Sequence, residues 1–584
     1  MNSKVDPITL AVVRGVLETT QREMTLTLEL AARSSVLNLA RDYSNAIFDH
    51  LPEMVIQGQD IPIHLGSLIP ATKTVAAYYG TDIHPGDVLY HNDPIHDGSH
   101  ICDCCMYKPV FFEGELVFWT VCKAHLTDIG GPVPAGYNPH ATEIYAEGLR
   151  IPPIKLWERG RKREDIVNLL LCNMRARRDQ EGDMNAQFGA CSVAERNLLA
   201  MLKKYGLETV RACLAELKNM ADNHMRALIA SVPDGTYHGS SIIEDAGHGL
   251  GEQLIEATVT IKGDSCHVAV QSPPQLPYFI NSYKGNSMSG VYLGLMMFAQ
   301  VSPPYNEGLY RCVTVDLGPH GTICNAREPA PHVNSTTTPM EALTDAVRMA
   351  FEKAAPYRVL ASTGHGTGIN IAGVDNRREG EEYVTMVLGS VISGGGATSK
   401  MDGWHAVGPL CCFGALISGD VELLEHSYPI LIHRYSLNTD SAGAGKFRGG
   451  SGTCWEVEPI DHDMTVITWG EGRKYPAVGA AGARNVLVQD KVGRIELTLA
   501  GQETEIIRRN TIITLHPGDR LCNINPGGGG YGDPLTRDIE SVLRDVRNNI
   551  VSVRGALEEY GVVVDPVTLV CDEAATRERR AAQA

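Results

Sequence analysis

One stretch restricts the fold of this chain more than any other. In "KPVFFEGELVFWTVCKAHLTD", residues 108–128, β-branched and aromatic residues lie on both sides of Glu113-Gly114. Runs of that composition around such a pair read as two antiparallel strands joined by a tight turn. The hairpin carries His125, near the end of its second half, back across the sheet towards the residues that precede its first strand.

Those residues have an unusual composition. "HNDPIHDGSHICDCC", His91 to Cys105, holds three histidines, three aspartates and three cysteines in fifteen positions. His100 and Asp103 form an H-x-x-D pair, and His125 lies twenty-two residues beyond Asp103. Two imidazoles and a carboxylate are borderline-to-hard donors that suit Zn²⁺, Mn²⁺ or Fe²⁺. Asp42, in the strand-like "RDYSNAIFD", offers a fourth donor. Spacing alone leaves a second reading open, a hydrogen-bonded polar cluster at a strand end. Cys102, Cys104, Cys105 and Cys122 form a rival ligand set, but C-x-C-C is not the C-x₂-C knuckle of structural zinc sites. On a strand Cys102 and Cys104 share the face opposite Cys105, and the four read as small core residues.

Bulk properties then remove whole classes of function. A net charge of −18 without a run of Lys/Arg and interleaved aromatics argues against a nucleic-acid partner, which needs a positive footprint. No apolar run approaches the roughly 20 residues that span a bilayer. "MNSKVDPITLAVVRG" lacks the basic and apolar regions of a signal peptide. Fifteen scattered or adjacent cysteines in such a chain point to reduced thiols and a cytoplasmic protein.

The 584 residues allow two to four domains. Apolar residues at helical spacing from Pro7 to about Leu39 (Val12, Val16, Met24, Leu28, Ala31, Val36) predict a packed helix. Val88–Tyr90, after the Pro85-Gly86 turn, reads as a strand, and residues 163–229 as two or three long helices. "IEATVTIKGDSCHVAVQ" alternates as strands do, and "TPMEALTDAVRMAFEKA" is helical. Beyond about residue 380 short strands alternate with Gly-rich turns, and a last helix, "TRDIESVLRDVRNNI", precedes a polar tail. The fold class expected is α+β and multidomain: an N-terminal α/β and helical region with the metal site over 1–230, a mixed α/β region over 231–380, and a Gly-rich, β-leaning region over 381–584.

Two glycine-rich motifs invite a nucleotide reading and fail it. Gly527, Gly529 and Gly532 satisfy G-x-G-x-x-G, but only about fifty residues remain to build the βαβ unit that gives the pattern meaning. "DSAGAGKFRGGSG", 440–452, has Asp440 where a phosphate loop starts with glycine and Phe447 where Ser/Thr should follow Lys446. Tight glycine turns are the expectation. No G-x-S-x-G elbow occurs, which disfavours an ordinary serine hydrolase.

Taken together, "GQDIPIHLGSL" (58–68), "NDPIHDGSHICD" (92–103), "AHLTDIGG" (124–131), "EGLRIPP" (147–153), "DSAGAGKFRGGSG" and "NPGGGGYGDP" resemble the hydantoinase B/oxoprolinase family, over effectively the whole chain. That family comprises large subunits of ATP-dependent hydrolases of cyclic amides and of ATP-dependent ketone carboxylases. The resemblance implies a partner, an A-type subunit carrying the ATP and Mg²⁺ site, and a small-molecule cyclic amide as substrate. It places the family's divalent-metal ligands on His100, Asp103 and His125, with Asp42 as an acidic fourth position that is either ligand or base. Where the family usually has Gly-Gly-Thr before the ligand histidine, this chain has Asp97-Gly98-Ser99. The function implied is a B-type subunit in which metal-activated water attacks an amide that ATP has activated. The alternatives are a ketone carboxylase subunit and a non-catalytic scaffold with a structural metal.

Overall fold

The structure, a computed structural model, describes residues 5–299 and 305–583. Among these residues the strands form four sheets, and the chain divides into two compact units. The first unit comprises residues 1–241 and 255–350, the second 242–254 and 351–584. The 1–230 stretch falls wholly in the first unit and 381–584 wholly in the second, while 231–380 is shared. The α+β class holds: helices and largely antiparallel sheets both contribute throughout.

The first unit is built on a seven-stranded antiparallel sheet. Its strands are β1 (Tyr43–Asp49), β2 (Met54–Gln57), β3 (Val88–His91), β4 (Asp103–Phe112), β5 (Glu115–His125), β6 (Ile154–Glu158) and β7 (Arg161–Lys162), in spatial order β2-β1-β5-β4-β3-β6-β7. The β4–β5 hairpin is at its centre. Glu113 and Gly114 both have positive φ, 52° and 87°, the twist that a two-residue hairpin turn requires. Phe112 then pairs with Glu115 at the turn, and Asp103 pairs with His125 at the open end.

Helices cover both faces. The first helices in chain order are α1 (Pro7–Ala31), α2 (Ser35–Asn38), α3 (Pro62–Tyr79), α4 (Glu164–Leu171), α5 (Arg177–Tyr205), α6 (Leu207–Ala230) and α7 (Lys284–Ala299), with α8 (Thr338–Ala354) packed on α7. On one face Gln187 of α5 donates to the carbonyls of Cys104 and Cys122. On the other, Leu65, Leu68, Ile69 and Val75 of α3 and Tyr292 of α7 pack with Ala46, Phe48, Cys105, Tyr107, Trp119 and Val121.

Two details depart from expectation. The helix expected from Pro7 to Leu39 breaks at Ala32, and its buried stripe is Val13, Leu17, Met24 and Leu28, whereas Val12 is exposed and Val16 only partly covered. Adjacent apolar pairs (Val12-Val13, Val16-Leu17) fit either of two faces, and packing on α5 selects one. Gly15 in this helix has nothing within 4 Å of where a Cβ would stand. Gly15→Ala is therefore expected to stabilise by about 0.5–1 kcal/mol through unfolded-chain entropy. A urea-denaturation midpoint that stays put or falls would contradict this.

In the second unit the sheets are a four-stranded one, in the order Glu381–Met386, Thr367–Asp375, Met464–Gly470, Ile512–Leu515, and a five-stranded one that includes Thr453–Pro459, Arg520–Ile524 and Arg494–Thr498. Its glycine-rich segments lie against each other. Gly394 N–H donates to Pro526 O (3.1 Å), Gly450 to Gly395 (2.8 Å), Gly528 to Gly450 (2.9 Å), Gly443 to Gly528 (2.8 Å) and Gly529 to Ser362 (2.8 Å). None of these glycines has positive φ. Close backbone approach, not a tight turn, is what they supply. The polar tail is also more ordered than its composition suggests. Two helices, Val553–Tyr560 and Glu573–Gln583, follow Ile539–Arg547, with Ala556 and Tyr560 packed on Val542, Leu543 and Val546. Among the described residues no helix is long and apolar enough to cross a membrane.

Candidate metal centre

Strand alternation builds this site. In β4 and β5 the odd-numbered residues Cys105, Tyr107, Trp119 and Val121 face α3, and in β1 the even-numbered Ala46 and Phe48 do so. The same parity sends Asp103, Lys123, His125 and Asp42 to that face at the sheet's open end. The three strands are neighbours: Asp103 pairs with His125, whose N–H donates to the carbonyl of Asp42 (3.1 Å). Asp42, His125 and Asp103 thus form one row across β1, β5 and β4. His100 joins from the turn before β4, whose backbone closes through Asp103 N–H to His100 O (3.0 Å).

His100 Nε2 lies 2.9 Å from Asp103 Oδ1, and His125 Nδ1 lies 3.2 Å from both. All three residues are buried, and their donor atoms lie within 4.8 Å of one another. Asp42 stands just outside this triad, its Oδ2 3.9 Å from His125 Nδ1. The carbonyl of Val333 accepts from His100 Nδ1 at 2.8 Å. A carbonyl can only accept, so in the neutral ring the proton is on Nδ1 and the Nε2 lone pair points at Asp103. Three electron-pair donors converging at hydrogen-bond distance need a proton or a cation between them. Two imidazole nitrogens and one carboxylate oxygen fit a divalent transition ion.

Charge and burial divide the groups sharply. Burial, reinforced by the neighbouring Asp103, pushes the Asp42 carboxyl up to about 8. Burial would likewise raise Asp103, but the charges of His100 and His64 and the hydrogen bonds of His100 and His125 outweigh it and hold this carboxylate well below its usual range. His125 is depressed to about 4, chiefly by burial, with Asp103 opposing. His100 goes the other way, because Asp103 overcomes its burial.

Four participants were not singled out by sequence. His64 of α3 places Nε2 3.1 Å from Asp103 Oδ2 and 3.7 Å from Asp42 Oδ1, and its buried Nδ1 has no hydrogen-bond partner among the described residues. Ser99 Oγ donates to Asp103 Oδ2 (2.5 Å), and fully buried Lys123 donates to Ser99 and Ser67 (2.9 and 2.5 Å). His64 and Ser99 both lie inside the quoted motifs, but only Ser99 is near Asp103 in sequence; His64 is brought to that carboxylate by the fold. Asp97, by contrast, turns from the site: at φ 62° its carboxylate accepts from Thr74 Oγ1 (2.6 Å) and lies 3.8 Å from Lys284 Nζ.

Cys102, Cys104, Cys105 and Cys122 are buried free thiols, and among the described residues they form no metal-holding group. The glycine segments 440–452 and 525–534 hydrogen-bond to each other, Gly443 N–H to Gly528 O, Lys446 to Gly532 and Phe447 to Tyr531.

Comparison with known proteins gives concordant results. The profile of the hydantoinase B/oxoprolinase family matches residues 6–534. The chain is 70% identical over 579 residues to a caprolactamase subunit beta of Pseudomonas jessenii, covering 99% of each. The solved ATP-dependent caprolactamase of Pseudomonas jessenii superposes with a TM-score of 0.94 at 68% identity, over 99% of this chain and 100% of that one. A nucleotide-free acetone carboxylase superposes with a TM-score of 0.87 at 20% identity, over 99% and 83%. The last is a likeness of fold alone.

Proposed function

We infer the function from one premise: the chain belongs to the hydantoinase B/oxoprolinase family. It is the B-type subunit of an ATP-dependent hydrolase that opens a lactam or a related cyclic amide. The observation that carries this is the 70% identity, over 99% of both chains, with a caprolactamase subunit beta. ATP and Mg²⁺ belong on an A-type partner subunit, in keeping with glycine segments whose amides are already engaged. The buried free thiols are in keeping with a cytoplasmic enzyme.

An unactivated amide resists water because resonance protects its carbonyl and its nitrogen leaves poorly. Phosphorylation of the amide oxygen on the partner would remove the first obstacle. In this chain His100 Nε2, Asp103 Oδ1 and His125 Nδ1 would hold a divalent ion. When bound, such an ion supplies Lewis acidity that lowers the pKa of a water or polarises an acyl oxygen. His64, Ser99 and, through Ser99, Lys123 hold Asp103 by its second oxygen, so its first remains free to point at His100 and His125. Asp42 stands outside the triad with a carboxyl that burial has moved to about 8. From that position it would either complete the ion's ligands or take the proton of the attacking water.

The test is to purify the chain with an A-type partner. ATP turnover is then followed with lactams, hydantoins, and ketones plus carbon-labelled bicarbonate. A ring-opened amino acid formed at equal rate without bicarbonate is expected. Label in a new carboxylic acid, with no ring-opened product, would instead make the chain a ketone carboxylase subunit.

A further inference from the structure

The carboxylate of Glu147 is fully buried, and three N–H groups converge on it. Its Oε1 accepts from the backbone N–H of His332 (2.7 Å) and of Val333 (2.8 Å), and its Oε2 faces His332 Nδ1 at 2.9 Å. Val333 is the residue whose carbonyl accepts from His100 Nδ1. The rest of this segment is tied down by neutral groups: Tyr283 Oη donates to Ala330 O (3.0 Å), and Asn281 Nδ2 to Pro331 O (2.7 Å). Two consecutive amides donating to one oxygen leave residues 332–333 little freedom in φ and ψ. The direction of the Val333 carbonyl follows from that constraint.

We propose that Glu147 is a positioning residue for His100, acting through the backbone of His332 and Val333. By holding the Val333 carbonyl against Nδ1, it keeps the imidazole in the tautomer whose Nε2 lone pair faces Asp103 and His125, and it fixes the ring's orientation. Groups one step behind a metal-binding histidine commonly set its tautomer in this way. His332 closes the second carboxylate oxygen but is not in the line of action, since both backbone N–H groups reach Glu147 without its ring. The proposal rests on the triad being a metal site, and the experiment separates the two.

Co²⁺ is titrated into the complete complex, with affinity taken from chelator competition and ligand geometry from the visible absorption of the bound ion. If the parent protein binds no Co²⁺, the metal reading itself fails. With the parent binding, Glu147→Gln is expected to weaken Co²⁺ affinity about 10- to 100-fold and to alter the absorption bands. Glu147→Asp should fall between the two, and His332→Gln should stay closer to the parent than either. Parent-like affinity and spectrum in folded Glu147→Gln would overturn the proposal, as would the same result in Glu147→Asp should the glutamine variant not accumulate. So would an equal loss in His332→Gln, which would reveal a general structural effect.

Discussion

Gly450→Ala is expected to abolish folding of the second unit. A Cβ at this position would stand 1.8 Å from the Trp404 carbonyl oxygen, 2.4 Å from its carbon and 3.0 Å from the Gly395 nitrogen. All three are backbone atoms, so no side chain can swing away. Gly450 also donates to Gly395 and accepts from Gly528, so moving it breaks hydrogen bonds on both sides. A clash that must be relieved by shifting three chain segments costs upwards of about 4 kcal/mol, a large share of the roughly 5–15 kcal/mol net stability of a typical protein. Gly501 is the control: it lies at φ +75° with open space around its Cβ, so Gly501→Ala should cost only about 1 kcal/mol. Soluble yield and the thermal melting profile of the two variants check this. A Gly450→Ala chain that melts within a few degrees of the parent would refute the packing argument.

The second large effect concerns the triad. His100→Ala and His125→Ala are each expected to reduce bound transition metal from about one ion per chain to a trace, and lactam turnover to below about 1% of the parent. Neither change should unfold the chain. His125 has its polar partners within the cluster and His100 gives up one bond outside it, to the Val333 carbonyl, while the β4–β5 pairing that frames the site is carried by backbone hydrogen bonds. Elemental analysis of the purified variants is the decisive measurement, with circular dichroism to establish the fold. Full metal content in both variants would remove these residues from the ligand set, whatever happened to turnover.

Much of this site was legible because its signal is local. The hairpin around Glu113-Gly114 determines that His125 returns to Asp103, and the H-x-x-D spacing lets one turn present His100 beside it. Asp42 was readable because it adjoins a strand with a clear pattern. His64 was not, since it stands on a helix that is apolar nearly all round and buries most of its surface. Helix α7 was hidden for the same reason: "KGNSMSGVYLGLMMFA" has no polar face to set a period, because α3, α8 and the sheet cover it on several sides. A pattern method detects the boundary between core and solvent, and an element without that boundary is silent. The final helix Glu573–Gln583 fails at the opposite extreme, having a single buried residue, Thr576. The glycine motifs read as tight turns, but their role depends on which backbones meet, Gly450 with Gly395 and Gly529 with Ser362, and that is decided between segments far apart in the chain.

That interlocking has a consequence for the order of events during synthesis. The amide of Gly394 and that of Ala397 find their acceptors at Pro526 and Gly529, over 130 residues later in the chain. Until the ribosome has released that last glycine run, the earlier segments have neither their hydrogen bonds nor the flat surface against which they lie. Strand Thr453–Pro459 likewise waits for its neighbour Arg520–Ile524, one edge unfilled for the several seconds that translation of the interval takes at about 5–20 residues per second. The second unit therefore completes late and all at once, and a chain cut short before Gly527 is an aggregation-prone remnant, not a smaller folded protein.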